Sequence, residues 1–330
     1  MTRDPSQQRQ MLERQFARLF ETLARHEIPV TLLWYPRLAT DPAYLFRQLH
    51  WLLGPMDEAI FKAAFKSTVR PDWIHTFPGE DAPQPGASPQ LNLLKGSPEE
   101  EATSGTAFYR DALRRIHTEL EPSLYLEIGV HHGLSLALAS CRAVGVDPAP
   151  EITVDLPATA EVVVQTSDDF FARADALALL GAAPELIFID GLHLFEVALR
   201  DFIHAERLAP PHGLIVIDDI FPNHPSQAAR ERRTEAWTGD VWKLIDVLRQ
   251  YRPGLELLAL NTRPTGLLLV AGLDRHSTVL PEAYEAIVAK YAAAIEPSSE
   301  ILERAEAISP TDVRVGVLLR RLRAMARPPH

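Results

Sequence analysis

Between about residues 105 and 275 the apolar positions fall into short, near-continuous runs separated by amphipathic stretches. The runs cover 124–130, 143–147, 161–165, 186–190 and 213–219. A strand that is apolar at every position, rather than at every second one, is buried on both faces. Such strands alternating with helices build a parallel sheet. The pattern therefore predicts a Rossmann-like, doubly wound α/β domain over 105–275, with a helix over 134–142 after the first strand. Two further runs, 255–260 and 266–270, are joined by a short turn and read as a closing antiparallel hairpin. Helical spacing returns over 281–327, within a C-terminal helical region 276–330.

Ahead of this domain, Met11, Phe16, Leu19, Phe20 and Leu23 recur at helical spacing. A strand-like run over 29–35 interrupts that pattern. A second helix is expected to start at Asp41-Pro42, where Asp can cap and Pro fits the first turn. Residues 1–70 thus form a mostly helical N-terminal region. Residues 71–104 are rich in Pro, Gly, Ser and acidic side chains and read as a linker or long surface loop.

Composition narrows the function classes. The apolar content and near-zero mean hydropathy are those of a globular protein. No run reaches the roughly 18 apolar residues of a membrane span, and the N-terminus is too polar for a signal peptide. With Cys141 as the single cysteine there is no internal disulfide and no cysteine-built zinc site. These features predict a cytoplasmic protein without a membrane partner. The net charge of −11 argues against a nucleic-acid partner, because phosphate binding relies on clustered Lys and Arg. The one basic cluster, Arg320, Arg321, Arg323 and Arg327, reads as a solvated helix face. Arg outnumbers Lys and Ala and Pro are frequent, a composition associated with GC-rich bacteria.

Ligands of open α/β sheets bind beyond the carboxyl ends of the strands, so the residues delivered there are the candidates for chemistry. The first strand delivers Glu127, Gly129, Gly133 and Ser135, with glycines that allow backbone to approach a ligand. Their spacing is G-x-x-x-G, not the G-x-G-x-x-G of a dinucleotide fold, which speaks against a nicotinamide dehydrogenase. The second ends in Asp147, suited to accept both hydroxyls of a ribose or to cap a turn. After the third come Ser167 and Asp168, fit for an adenine edge or for an ordinary helix cap. Asp190 ends the fourth and Asp218-Asp219 the fifth, with His193 three residues beyond Asp190. Three converging carboxylates repel one another, and a divalent cation with oxygen ligands (magnesium, calcium or manganese) is the simplest remedy. The competing reading makes the acids helix caps and His193 a surface histidine.

These residues resemble a family. Tyr125-Leu126-Glu127-Ile128-Gly129-Val130, followed by Gly133 and Ser135, resembles the first motif of class I S-adenosylmethionine-dependent methyltransferases, and Asp147 stands where their ribose-binding acid does. Phe188-Ile189-Asp190-Gly191-Leu192-His193 through Arg200-Asp201, then 213–219, is similar to the metal-dependent sugar and macrolide O-methyltransferases. The resemblance implies S-adenosylmethionine and Mg2+ as cofactors, with Asp190, Asp218 and Asp219 as metal ligands and His193 as the catalytic base. Leu192 departs from a variant that places an Asp there. Residues 28–54 carry a fainter resemblance to a late strand and helix of sulfotransferases, without their phosphate-binding loop.

The expected reaction is O-methylation of a small-molecule or glycosidic acceptor, with His193 removing the hydroxyl proton. Glu127, Gly129, Gly133 and Ser135 would line the methionine side, Asp147 the ribose, and Ser167 or Asp168 the adenine. Two polar-aromatic stretches, 221–225 and 237–243, suit a polyhydroxylated acceptor or, alternatively, pack as a surface insertion with Trp237 and Trp242 in the core. A metal-dependent oxygenase of the same fold and a non-catalytic binding protein are the competing classes. The terminal helical regions can cap the site or build a homo-oligomer.

Overall fold

The computed structural model describes residues 42–53, 57–68, 96–173, 175–291 and 296–327. The chain divides into two compact units, Met1–Pro89 and Gln90–His330. The helix and strand expected between residues 7 and 41, and most of the expected linker, lie outside the described residues.

In the first unit, α1 (Pro42–Leu53) and α2 (Glu58–Thr68) form a pair. Pro42 opens α1 as the sequence predicted; its fixed φ suits the first turn and its missing N–H would be unpaired there anyway. Asp57 Oδ1 accepts the Ala59 and Ile60 N–H groups (2.7 and 3.3 Å) at the start of α2. Phe46 and Phe61 bring the helices together, their rings 5.2 Å apart.

In the second unit, β1 (Ala107–Phe108) and α3 (Tyr109–Leu120) lead into β2 (Leu124–Ile128), β3 (Arg142–Val146) and β4 (Ala160–Val163). Then follow α4 (Ser167–Ala172), α5 (Ala176–Leu180), β5 (Leu186–Ile189), α6 (Phe195–Leu208) and β6 (Leu214–Asp218). After α7 (Lys243–Tyr251) come β7 (Glu256–Leu260), β8 (Thr262–Arg263) and β9 (Leu267–Ala271), then α8 (Val279–Tyr291), α9 (Ser299–Leu302) and α10 (Val313–Ala326). Seven strands form one sheet in the order β4-β3-β2-β5-β6-β9-β7. The first five are parallel; β9 is antiparallel to both β6 and β7, which is the predicted closing hairpin. β1 pairs with β8 in a separate parallel ribbon that the apolar pattern did not reveal.

Period-two alternation divides each strand between two cores. Leu126, Ile128, Ile187, Ile189, Ile215 and Ile217 face one way, against Phe195, Leu199 and Phe202 of α6 and residues of α7 and α8. Tyr125, Leu186, Phe188, Leu214 and Val216 face the other, against Leu113 and Ile116 of α3 and Leu318 and Leu319 of α10. Burial on both faces is why the strands read as continuous apolar runs.

Two expectations need correction. The helix over 134–142 does not form: Leu136–Leu138 makes a single 3-10 turn and Arg142 already belongs to β3. The link from β2 to β3 spans only 129–141, near the shortest length that returns a chain to a parallel strand, and it has no room for a full crossover helix. The helical stretch expected over 281–327 is broken into α8, α9 and α10, beginning at Val279.

The strand order positions the site. From β2 the chain winds through β3 and β4 to one side, then crosses back to β5 and β6 on the other. The reversal opens a crevice between the ends of β2 and β5, where ligands of such sheets bind.

Candidate functional site

The backbones meet closely at that crevice. Gly129 lies at φ +88°, and a Cβ there would stand 1.8 Å from the Asp190 carbonyl oxygen. Only glycine allows β2 and β5 to end so near one another. On the β2 side, Glu127 is fully buried and its carboxyl is taken up internally. The Tyr125 and Ser135 hydroxyls each donate to it at 2.6 Å. Burial pushes the Glu127 carboxyl up to about 8, despite those two donors. Glu127 and Ser135, both expected on the methionine side, thus bind each other beneath the loop.

Asp147, just past β3, organises the loop above. Its Oδ2 accepts the Val130 and His131 N–H groups (2.9 and 2.8 Å) and its Oδ1 the Ala149 N–H (2.7 Å). Three of about four lone-pair positions are occupied, leaving one open. Gly133 follows at φ +78°.

Beyond β4, Thr166 caps α4 by accepting the Asp169 N–H at 3.1 Å, the ordinary use of such residues. Asp168 forms a two-pronged pair with Arg200 of α6 (2.5 and 2.7 Å), and Arg200 also donates to the Tyr284 hydroxyl. The Ser167 hydroxyl lies on the side of buried Asp201 and favours its charged form. Asp168 is therefore held from behind by α6. Burial pushes the Asp201 carboxyl up to about 6, and its Oδ1 has no hydrogen-bond partner.

The ends of β5 and β6 bring the remaining candidates together. A small cavity there is lined by Asp190, Gly191, His193, Asp218, Asp219 and Val241. His193 Nδ1 lies 3.1 Å from Asp219 Oδ2, and Nε2 lies 3.6 Å from Asp190 Oδ1. Asp219 stands in the left-handed region at φ +63°, which Asp tolerates better than most residues, and its N–H donates to Asp218 Oδ1 at 2.8 Å. Burial raises the Asp190 carboxyl to about 6, with Asp219 adding repulsion. Burial, then Asp219 and Asp190, hold Asp218 well above the carboxylate range. Burial alone would pull the His193 imidazole down, but Asp219 and Asp190 outweigh it and lift it to about 10. A protonated His193 thus offsets part of the repulsion that the sequence reading assigned wholly to a cation.

The donor set also fits a divalent ion. One ligand atom each from Asp190, His193 and Asp219 lie within 4.8 Å of one another, with Asp218 adjoining. Hard carboxylate oxygens dominate, as magnesium or manganese prefers. The sequence reading named Asp218 as a ligand and His193 as the base; by spacing, His193 belongs with the potential ligands too.

Residues 126–220 match the model of a family described as a methyltransferase domain. Over this stretch, from β2 to just past β6, the chain is similar to a methyltransferase domain. The expectation of an S-adenosylmethionine-dependent methyltransferase agrees with that match. No curated protein matches the chain. Among solved structures it is similar to the O-methyltransferase TomG from Streptomyces achromogenes, in complex with SAM, at 16% identity over 74% of this chain and 100% of that one, TM-score 0.37. An O-methyltransferase from Bacillus cereus, in complex with SAH, shares 13% identity over 71% of this chain and 99% of its own, TM-score 0.37. MycE, a methyltransferase of the mycinamycin biosynthetic pathway bound to Mg and SAH, shares 18% over 51% of this chain and 49% of its own, TM-score 0.35. All three TM-scores lie below 0.5, so the likeness rests on the family match over residues 126–220.

Two residues outside the predicted catalytic, cofactor and metal sets adjoin the site. Tyr109, which opens α3, lies near the acidic cluster; burial, then Asp190 and Asp218, push its phenol up. Trp237 stacks on His193 with ring centroids 4.9 Å apart and planes at 16°, whereas Trp242 is core. The polar-aromatic composition around Trp237 was a signal, but the tertiary fold alone separates the two tryptophans. Among the described residues, no helix is long and apolar enough to cross a membrane.

Proposed function

We propose that the chain is a cytoplasmic S-adenosylmethionine-dependent O-methyltransferase, assisted by a divalent cation and acting on a hydroxyl of a small-molecule or glycosidic acceptor. The observation that carries this reading is the gathering of Asp190, His193, Asp218 and Asp219 at one corner of the methyltransferase crevice. S-adenosylmethionine would supply the methyl group, held by the loop after β2 with Asp147 at its ribose. A divalent cation held by Asp190, Asp218 and Asp219 would lower the pKa of the acceptor hydroxyl.

His193 takes the acceptor proton at Nε2, because Nδ1 is occupied by Asp219 and by the Trp237 carbonyl (2.7 Å). To act as a base it must first be neutral. Positive charge beside the carboxylates would lower its affinity for a proton. The half-buried Trp237 ring beside His193 supports an acceptor with a flat or pyranose ring that can stack there.

Calorimetric titration with S-adenosylmethionine, with and without Mg2+, tests the cofactor assignment. Asp147→Ala should weaken binding at least tenfold; unchanged affinity would remove Asp147 from the cofactor site. The imidazole in the potential ligand set also favours a second reading, an iron oxygenase. Turnover that needs iron and oxygen and ignores S-adenosylmethionine would establish that class instead.

A further inference from the structure

The segment between β6 and α7 makes no strand or α-helix, yet it is held in place from several directions. The Thr238 and Gly239 N–H groups both donate to the Gln227 carbonyl (2.9 and 3.1 Å). Gln227 Nε2 in turn donates to the Glu100 and Ala102 carbonyls (2.7 and 2.9 Å). Trp237 Nε1 donates to the Ala229 carbonyl at 2.5 Å. Asp240 Oδ1 accepts the Phe195 N–H at 2.8 Å, capping α6 from outside it, and its Oδ2 binds Arg230 and buried Lys243.

What this framework presents to the crevice is one backbone carbonyl and one indole face, both directed at His193. The His193 Nδ1–H donates to the Trp237 carbonyl at 2.7 Å, with Asp219 Oδ2 at 3.1 Å as a competing acceptor. The indole lies against the imidazole nearly in parallel. Gly239 is at φ +52°, and a Cβ there would stand 1.7 Å from the His193 carbonyl oxygen, so only glycine allows this approach.

We infer that Trp237 and Gly239 are positioning residues for His193: the 237–239 segment fixes the ring plane and holds the proton on Nδ1, so that Nε2 faces Asp190. The inference deepens the proposed function and rests on His193 being its working imidazole. A ring N–H donated to a fixed carbonyl or carboxylate sets a histidine's tautomer and ring orientation and leaves the other nitrogen free to act.

The test uses the full-length protein labelled with 15N at histidine. Proton spectra should show a downfield, slowly exchanging ring N–H that His193→Ala abolishes. Trp237→Phe, which keeps an aromatic ring against the imidazole, should retain it. Trp237→Ala and Gly239→Ala should lose it. A merely structural role would lower the melting temperature in Trp237→Ala while leaving the proton protected. That result, or the absence of a protected His193 proton in the natural sequence, overturns the inference. Should Gly239→Ala not fold, the contrast between Trp237→Phe and Trp237→Ala decides. A protected proton in a protein that binds no Mg2+ would remove the cation from the proposed function and leave the positioning role standing.

Discussion

At the ends of β2 and β3, two carboxyl groups are supplied with donors by their own domain. Glu127 receives two hydroxyls in a dry interior, and Asp147 receives three backbone N–H groups. At the ends of β5 and β6, a few ångströms across the crevice, Asp190, Asp218 and Asp219 face one another and a single imidazole. The first arrangement is complete and holds a loop in shape. The second gathers more negative charge than its one imidazolium balances, and it is stable only because the sheet positions it. Rigid shape on one side and unbalanced charge on the other are what a cofactor cradle and a reaction centre respectively require.

The most severe way to break this comparison is at His193. Replacing it by Ala should lower turnover on the order of 10²–10⁴-fold, the contribution of a positioned base, while S-adenosylmethionine affinity by calorimetry stays within twofold. An equal loss of cofactor affinity would mean that the two sides are not separable.

The complete side can be tested through pH. Glu127 has a folded pKa of about 8, above its ordinary 4.5. The unfolded chain therefore ionises first, and stability is lost as pH rises from 4.5 towards 8, by a few kcal/mol. Glu127→Gln, close in shape to the protonated acid, should fold normally and flatten that alkaline loss in urea melts. An unchanged pH profile would show that Glu127 is not the group responsible.

His117 gives the opposite flank. It is buried against Tyr125 with ring centroids 4.6 Å apart, and neither nitrogen has a partner. Burial lowers its pKa to about 4. The unfolded chain then takes up the proton first, so stability falls as pH drops from 6.5 towards 4, by roughly 3 kcal/mol. His117→Leu should remove that acid loss and match or exceed the natural stability near pH 7. A mutant that melts earlier at every pH would count against an unsatisfied imidazole.

The smallest effect is expected at Arg200. Its pair with Asp168 is partly exposed, and such pairs contribute about 0–1 kcal/mol. Arg200→Ala should shift the melting temperature by a few degrees at most. A larger loss of cofactor affinity than of stability would show that the pair shapes the adenine side.

Much of this was legible in the chain. Strands buried on both faces announce themselves as apolar runs, and Asp147, Asp190 and Asp218-Asp219 stand at their ends, where the apolar sheet gives way to the polar crevice. The expected helix over 134–142 failed because helical propensity is local, whereas the length of the link between β2 and β3 is set by the distance to be covered. Glu127 reads from the sequence as one more acid at a strand end, and only its burial shows that it serves Ser135 and Tyr125. Trp237 and Gly239 reach His193 across more than forty positions, and no periodicity encodes that contact.

Hydrophobic periodicity and the residue types at strand ends were sufficient to determine the α/β class, the closing hairpin and the set of acids in the crevice. Those properties depend on neighbours along the chain. Which carboxyls are satisfied and which are crowded, which nitrogen of His193 is free, and which tryptophan lines the site were decided by tertiary structure. They depend on burial and on approaches of one or two ångströms between distant segments, and the low interior dielectric makes such differences large in energy.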